Sequence, residues 1–174
     1  MTDGIKEELE KDLSRIIGFV TSCDSKSSIV MSGVLAIVAL IAGLNGPSLA
    51  DHFKNNLDSA GAILSLMLLI VSVALIIIGL SFIISSLYAR GKPDNQAYHD
   101  SLIYYGSISS LEYDDYKESV LSRTNEDYLE DLASQVHINS VICSKKYNLY
   151  NKGLLLSITG VILLLVCSLL AVVQ

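Results

Sequence analysis

The sequence predicts an all-α membrane protein with three transmembrane helices, two of which extend into a cytoplasmic helical bundle. Three long windows contain no charged residue, and they run from Ser27 to Ala50, from Ser59 to Ala89 and from Gly153 to Gln174. These runs are continuous rather than alternating, which excludes the strands of a membrane barrel. The polar segments beside the first and third windows carry apolar residues at helical spacing, which is typical of amphipathic helices.

The windows set the division of the chain, because a helix needs about 20 apolar residues to cross roughly 30 Å of hydrocarbon. The predicted segments are a cytoplasmic amphipathic helix (1–27), a first span (28–44), an outer loop (45–60), a second span (61–88), a cytoplasmic helical segment (89–152) and a third span (153–173). The first window is the most polar, so a buried soluble helix is its alternative interpretation. A cleaved signal peptide is not expected, since about 27 charge-rich residues precede this window.

The first span continues an amphipathic helix. Apolar residues recur at helical spacing between Ile5 and Val20, and Thr2 or Asp3 provides a start. We predict one helix from there to Leu44, ended by Asn45-Gly46-Pro47. The short outer loop makes the first two spans an antiparallel hairpin, and the turn at 91–94 (Gly-Lys-Pro-Asp) ends the second span.

The segment from Asn95 to Lys152 is predicted to be helical throughout, with a short helix near 110–122. Thr124 is a helix cap followed by acidic residues in the first turn. It begins a long helix from about 126 to 173. We expect helix 4–27 to pack against the cytoplasmic half of this helix, because both carry apolar stripes.

Charge distribution gives the orientation. Lys and Arg cluster before the first span and between the second and third, whereas the outer loop carries only Lys54. The positive-inside rule places the N-terminus and the 89–152 segment in the cytoplasm and the C-terminus outside. The net charge of −6 and the absence of a basic stripe argue against a nucleic-acid duplex as partner. No window has an ionisable residue in its middle, which argues against ion-coupled transport.

The sequence contains no motif for catalysis, so we expect no enzyme activity, no cofactor and no metal site. The three histidines, His52, His99 and His137, are scattered and are interpreted as surface residues. The cysteines form no disulfide framework, because two of them belong to the reducing cytosol and one to the bilayer.

Small residues recur along the first and third spans at spacings of four, which allows close contact between helices in lipid. They are Ser28, Ser32, Ala36, Ala39, Gly43, Gly153 and Ser157. Three interpretations stay open: packing inside one chain, an interface between copies of the chain, or the weakly polar lining of a pore.

A second group of residues has the chemistry to bind a small anion, through hydrogen bonds, positive charge and a stacking ring. It consists of Asn139, Ser140, Lys145, Lys146 and Tyr147. In the alternative interpretation the lysines anchor the third span at the membrane surface. Asp24 and Lys26 lie at the mouth of the first span, where we expect them to face polar groups of a neighbouring helix.

Three stretches resemble motifs of the Pycsar effector transmembrane family, in the same order and with the same membrane layout. "CDSKSSIVMS" (23–32) is similar to that family's "ADxKAxxLL" at the start of the first span. "LIYYGSI" (102–108) is similar to its aromatic-Gly-x-Ile segment, and "DYLEDLASQVHINSVICSKKY" (127–147) to its long-helix motif. The departures are Cys23 and Ser27 in place of alanines and Tyr105 where Phe is more usual.

The resemblance implies a bacterial antiphage effector in the inner membrane, which impairs that membrane when a cyclic nucleotide, a cyclic pyrimidine in that family, is made upon infection. It carries over Asp24 and Lys26 from the first motif and Asn139, Ser140, Lys146 and Tyr147 from the third, either as a ligand site or as a clasp between helices. A homo-oligomer is expected. The alternatives are a nonenzymatic scaffold that docks a cytosolic partner, and a small constitutive channel.

Overall fold

The computed structural model describes residues 2–56, 59–89 and 101–173. Five helices form along this part of the chain: α1 (Thr2–Asn56), α2 (Ala60–Tyr88), α3 (Tyr105–Ile108), α4 (Tyr113–Ser122) and α5 (Asn125–Val173). None of the described residues is in a strand. Helices α1, α2 and α5 are each long and apolar enough to cross a membrane. The predicted fold class is therefore confirmed.

The predicted helix end at Asn45-Gly46-Pro47 is wrong, because α1 continues through Pro47 to Asn56. Residues 45–56 of the predicted outer loop are therefore helical. Proline removes one backbone donor from a helix interior and clashes with the preceding turn. A tertiary contact supports the extension, since His52 is buried and its Nε2 lies 3.4 Å from Ser65 Oγ on α2. His52 is thus not the surface residue that the sequence suggested.

The prediction of helix throughout residues 95–152 is also wrong in part. Between 101 and 112 the only helix is the single turn α3. The Ser101 hydroxyl oxygen accepts hydrogen bonds from the backbone N–H groups of Ile103 and Tyr104, both 3.1 Å long. Side chains that bond nearby backbone groups compete with helix formation in this way. The turn predicted at 91–94 and the residues 95–100 lie outside the described residues.

The chain divides into two compact units. The polar unit comprises Met1–Cys23 and Ala89–Lys146, and the apolar unit comprises Asp24–Tyr88 and Tyr147–Gln174. Helices α1 and α5 each contribute residues to both units.

In the polar unit the N-terminal part of α1 packs against α5, as predicted. The Tyr128 hydroxyl donates a 3.0 Å hydrogen bond to Glu10 Oε1, and Leu132 and Ile138 are buried on α5. The 101–104 segment joins this packing, because the Leu102 N–H donates to Asp131 Oδ2 at 3.0 Å. The apolar stripe of α1 is only partly covered, since Ile5 and Ile17 are each 48% exposed.

In the apolar unit α1, α2 and α5 share a core of aliphatic side chains: Val34, Ile41, Ile76, Val161 and Leu164. A 2.9 Å hydrogen bond joins the buried hydroxyls of Ser27 on α1 and Ser86 on α2. The His52–Ser65 pair joins the same two helices at their other ends. Contacts between the start of one helix and the end of the next require an antiparallel arrangement, which confirms the predicted hairpin.

Candidate functional site

The polar residues predicted on α5 differ in their availability for a ligand. Asn139 Nδ2 donates to the Gln135 carbonyl at 2.8 Å, and Ser140 Oγ donates to the Val136 carbonyl at 2.7 Å. Each of these two side chains therefore donates a hydrogen bond to a backbone carbonyl of its own helix. Lys145 is exposed, whereas Lys146 is only 5% exposed. A buried ammonium is costly unless it is paired, and Lys146 is not without a partner.

The structure brings Lys26 and Tyr147 of the predicted set together. Lys26 Nζ lies 5.7 Å from the centroid of the Tyr147 ring, within the range of a cation–π interaction. Both residues belong to the apolar unit, at the start of the α1 and α5 portions of that unit. Asp24 is half-buried, and its backbone carbonyl accepts a 3.0 Å hydrogen bond from Ser28 Oγ. The contact between Lys26 and Tyr147 therefore joins a residue of the first predicted motif to one of the third.

The small residues predicted on α1 lie at the surface of the described part of the chain. All of them are exposed: Ser28, Ser32, Ala36, Ala39 and Gly43. A Cβ added at Gly43 would meet no atom within 4 Å. The three interpretations, packing inside one chain, an interface between copies and a pore lining, stay predictions.

Gly153 and Ser157 on α5 do pack within the chain, against a glycine of α2 that the sequence analysis missed. A Cβ added at Gly79 would lie 2.7 Å from Ser157 N and 2.9 Å from the Gly153 carbonyl oxygen. Ser157 is fully buried, and its hydroxyl has no hydrogen-bond partner among the described residues. The backbones of α2 and α5 therefore approach too closely to admit a side chain here.

This contact repeats along the two helices and forms what we call the small-residue seam. Gly79 lies against Gly153, Gly160 lies against Ser72, and Cys167 Sγ lies 3.3 Å from the Ser65 carbonyl oxygen. Each step is seven residues forward on one helix and seven back on the other, so the helices are antiparallel. The signal was present in the sequence as small residues spaced by seven, namely Ser65, Ser72, Gly79 and Ser86 on α2 and Gly153, Gly160 and Cys167 on α5.

A polar cluster in the polar unit was also missed. Arg123 Nη2 donates to Asp131 Oδ2 at 2.7 Å and to the Asp127 carbonyl at 3.1 Å. Both partners of the ion pair are largely covered, with side-chain exposures of 13% for Arg123 and 11% for Asp131. Charge-assisted bonds of this kind are among the stronger hydrogen bonds in proteins. A single arginine between two helices gave no pattern by which the sequence could have identified it.

The predicted helix cap at Thr124 is confirmed and lies beside this cluster. Thr124 Oγ1 accepts a 3.2 Å hydrogen bond from the Asp127 N–H, and Asp127 Oδ2 accepts bonds from the Thr124 hydroxyl and N–H at 2.6 and 3.0 Å. This reciprocal arrangement is a capping box closed by aspartate. The hydrogen bonds from Thr124, the side-chain one first, lower the pKa of Asp127.

Tyr128 connects the cluster to α1. Lys6 Nζ lies 5.0 Å and Arg123 Cζ 4.9 Å from the centroid of its ring, while its hydroxyl bonds Glu10. Burial, followed by the hydrogen bond to the Glu10 carboxylate, raises the pKa of Tyr128. A neutral tyrosine is therefore the stable form, and it holds α1 to α5.

The described residues contain no group of three or more His, Cys, Asp or Glu side chains that could hold a metal ion.

Comparison with known proteins decides the family. Residues 8–173 match the Pycsar effector protein domain. The chain belongs to the Pycsar effector family. It is 30% identical over 164 residues to the Pycsar effector protein GmPycTM of Gulbenkiania mobilis, an alignment that covers 86% of this chain and 84% of that protein. No solved structure matches the chain.

Membership in the Pycsar effector family confirms the resemblance inferred from the three sequence motifs. Together with the three long apolar helices, it identifies the chain as an antiphage membrane effector. The match extends across both units, so the polar unit and the apolar unit are parts of one effector domain.

Proposed function

We propose that this Pycsar effector responds to a cyclic nucleotide, a cyclic pyrimidine nucleotide, by impairing the integrity of the bacterial inner membrane. The observation that carries the proposal is the family match over residues 8–173, which spans all three apolar helices and the polar unit together. The named relative is itself a Pycsar effector protein. An effector of this kind needs a part that receives the signal and a part that acts on lipid.

The polar unit is the receiving part in this proposal. Helices α1 and α5 each supply residues to both units, so a change in their packing in the polar unit is carried along the same helices into the apolar unit. A ligand can shift such an equilibrium only if it binds one arrangement better than the other. The nucleotide therefore has to contact polar-unit residues whose positions differ between the resting and the active arrangement.

The membrane-acting part is the apolar unit, assembled as a homo-oligomer. The exposed small-residue stripe of α1, defined by Ser28, Ser32, Ala36, Ala39 and Gly43, supports this step. Small residues at a helix surface permit close approach of a second helix in lipid. Two or more copies joined along this stripe would form a weakly polar path for ions.

In the same proposal Lys26 and Tyr147 act as a clasp between α1 and α5. Their cation–π contact supports this role, and Asn139 and Ser140 are already bonded within their helix. Because Lys26 is exposed, the contact contributes about 0.5–1 kcal/mol. A weak clasp of this kind can open during activation without a large energetic cost.

The test of the function uses purified chain in liposomes of phosphatidylethanolamine and phosphatidylglycerol with a potassium gradient and a potential-sensitive dye. Addition of 3′,5′-cyclic UMP or 3′,5′-cyclic CMP is expected to collapse the potential. Cyclic AMP and protein-free liposomes are the controls. If neither pyrimidine nucleotide changes the potential, the proposed activation is wrong.

The orientation is tested separately, with the N-terminus and residues 89–152 proposed to face the cytoplasm. In a Cys143→Ser background the remaining cysteines, Cys23 and Cys167, are fully buried. Asp51→Cys is expected to react with a membrane-impermeant maleimide in spheroplasts, and Lys117→Cys only after lysis. Labelling of Lys117→Cys in intact spheroplasts would reverse the topology.

A further inference from the structure

A cleft in the polar unit has the form of a small polar binding site. It has a volume of about 290 Å³ and is lined by Leu102, Ser119, Ser122, Arg123, Asp127 and Asp131. Ligand pockets range from about 300 to 1,000 Å³, so this cleft lies just below that range and suits a ligand no larger than a mononucleotide. It lies at the α4–α5 junction, and none of its lining residues was predicted to bind a ligand, although Leu102, Asp127 and Asp131 lie in the motif stretches 102–108 and 127–147.

Arg123 offers unused donors to this cleft. Both of its hydrogen bonds come from Nη2, one to the Asp131 carboxylate and one to the Asp127 carbonyl. Its Nε and Nη1 groups make no hydrogen bond to any of the described residues. The ion pair with Asp131 and the contact with the Tyr128 ring hold the guanidinium in place. A fixed guanidinium with free N–H groups is the side chain best suited to a phosphate.

Ser119 adds a second free group. It is half-buried, and its hydroxyl makes no hydrogen bond to any residue that the structure describes. Its backbone carbonyl and that of Glu118 are the acceptors of the Ser122 hydroxyl. The cleft is therefore lined by a hydroxyl, by a guanidinium and by the Asp131 carboxylate to which that guanidinium is bonded.

The charges of the cleft restrict the class of ligand. The lining contains one guanidinium and two carboxylates, those of Asp127 and Asp131, so a polyphosphate would be repelled more strongly than a monoanion. A cyclic phosphodiester carries a single negative charge, which Arg123 can accept. Its ribose also has a free 2′-hydroxyl, and carboxylates are the usual acceptors for a ribose hydroxyl in nucleotide sites.

We infer that this cleft binds a 3′,5′-cyclic ribonucleotide, with the phosphate on Arg123 and Ser119 and the 2′-hydroxyl on Asp131. The inference rests on the proposed function, because it names the site for the same signal. The site is also connected to the rest of the polar unit. Asp131 accepts a hydrogen bond from the Leu102 N–H, and Arg123 contacts the ring of Tyr128. The Tyr128 hydroxyl in turn donates a hydrogen bond to Glu10 on α1. A ligand that engages Arg123 and Asp131 thus acts on three segments of the polar unit.

The test is isothermal titration of the full-length chain in detergent with cyclic UMP and cyclic CMP. Removing one partner of a covered ion pair leaves the other charge unpaired, so the test variant is the double substitution Arg123→Gln/Asp131→Asn. The matched control is Lys117→Gln/Glu118→Gln on the exposed face of α4, which removes the same two charges outside the cleft. The test variant is expected to bind about tenfold more weakly or worse, and the control as the wild type does.

Two further variants keep the test informative if the double substitution fails to fold. Ser119→Ala removes one hydroxyl and is expected to weaken binding about threefold, and Arg123→Lys keeps the charge but not the guanidinium. Wild-type affinity in both folded variants would overturn the site and leave the proposed function intact. Failure of the wild-type chain to bind either nucleotide would overturn both. Equal binding of UTP or inorganic phosphate would overturn the ligand class.

Discussion

Substitution of Gly79 by alanine tests the small-residue seam. The added Cβ would lie 2.7 Å from Ser157 N and 2.9 Å from the Gly153 carbonyl oxygen, whereas ordinary contact begins at 3.4 Å. The Ser157 Oγ is nearer still, but these two neighbours are backbone atoms, so a rotamer change at Ser157 cannot relieve the overlap. Helices α2 and α5 must instead separate by roughly 0.7 Å, the difference between 2.7 and 3.4 Å, at the centre of a packed interface.

The cost of this separation can be isolated by a matched control. Overpacking a well-packed interior costs about 1–3 kcal/mol, but alanine is also better than glycine in a helix by about 1 kcal/mol. Gly33 on α1 has no atom within 4 Å of its added Cβ. Gly33→Ala therefore measures only the gain in unfolding free energy from the better helix propensity of alanine. The Gly79→Ala variant is expected to have an unfolding free energy lower than that of Gly33→Ala by about 1–3 kcal/mol, the cost of overpacking the seam.

The assay is thermal unfolding in detergent, followed by far-ultraviolet circular dichroism. For a chain of this length a change of 1 kcal/mol shifts the midpoint by about 2–4 °C. Gly79→Ala is expected to melt below Gly33→Ala by that amount or more. Gly160→Ala should resemble Gly79→Ala, because its Cβ would lie 2.9 Å from the Ser72 carbonyl oxygen. Coincident midpoints for the Gly79 and Gly33 variants would refute the close packing of α2 and α5.

Three further predictions follow from single contacts. A double-mutant cycle of Ser27→Ala and Ser86→Ala should give a coupling free energy of unfolding of about 0.6 kcal/mol, typical of hydroxyl bonds between membrane helices; zero coupling would mean that the bond does not form. Gln135→Met should raise the stability by about 1 kcal/mol, because the Gln135 Nε2 is buried without a partner among the described residues; destabilisation in thermal unfolding would contradict this. Hydrogen bonds from Thr124 lower the pKa of Asp127 below its ordinary value of 3.8. The ionised carboxylate therefore stabilises the fold at pH values above 3.8, and this stabilisation is lost as the pH falls through the lowered pKa. Asp127→Asn should therefore melt below the wild type at neutral pH and together with it in strong acid; a difference that persists in acid would exclude the capping carboxylate as its source.

The long helices could be predicted because their signals are local. An uncharged apolar run predicts a span, and Thr124 followed by acids predicts the start of α5; both depend on residues near each other in the chain. The end of α1 could not be predicted in this way. Pro47 is a valid local stop signal, but the contact of His52 with Ser65 joins residues on different helices, and local propensity is a weak prior against tertiary packing.

The same distinction explains the missed turn at 101–104. Ser101 is compatible with a helix, and only its bonds to Ile103 and Tyr104, together with the Leu102–Asp131 bond across 29 residues, favour an irregular segment. The side chain of Ser101 then replaces the helix carbonyl as the acceptor. The bond to Asp131 could not be predicted from the residues around Ser101, because Asp131 lies about 30 residues further along the chain.

In the candidate site, side chains that lie together in the fold do not form a recognisable pattern in the sequence. The sequence analysis selected Lys145 and Lys146 because adjacent charges beside a ring are conspicuous, yet Lys145 is exposed and Lys146 is buried. Arg123 stands alone between two helices and gave no pattern, but the capping box at Thr124 fixes the start of α5 and so sets Asp127 and Asp131 on successive turns beside it. A helix cap is normally a contribution to stability alone. Here the cap residue Asp127 also accepts a hydrogen bond from the Arg123 guanidinium through its backbone carbonyl, so the local signal that predicted the helix start lies in the lining of the cleft.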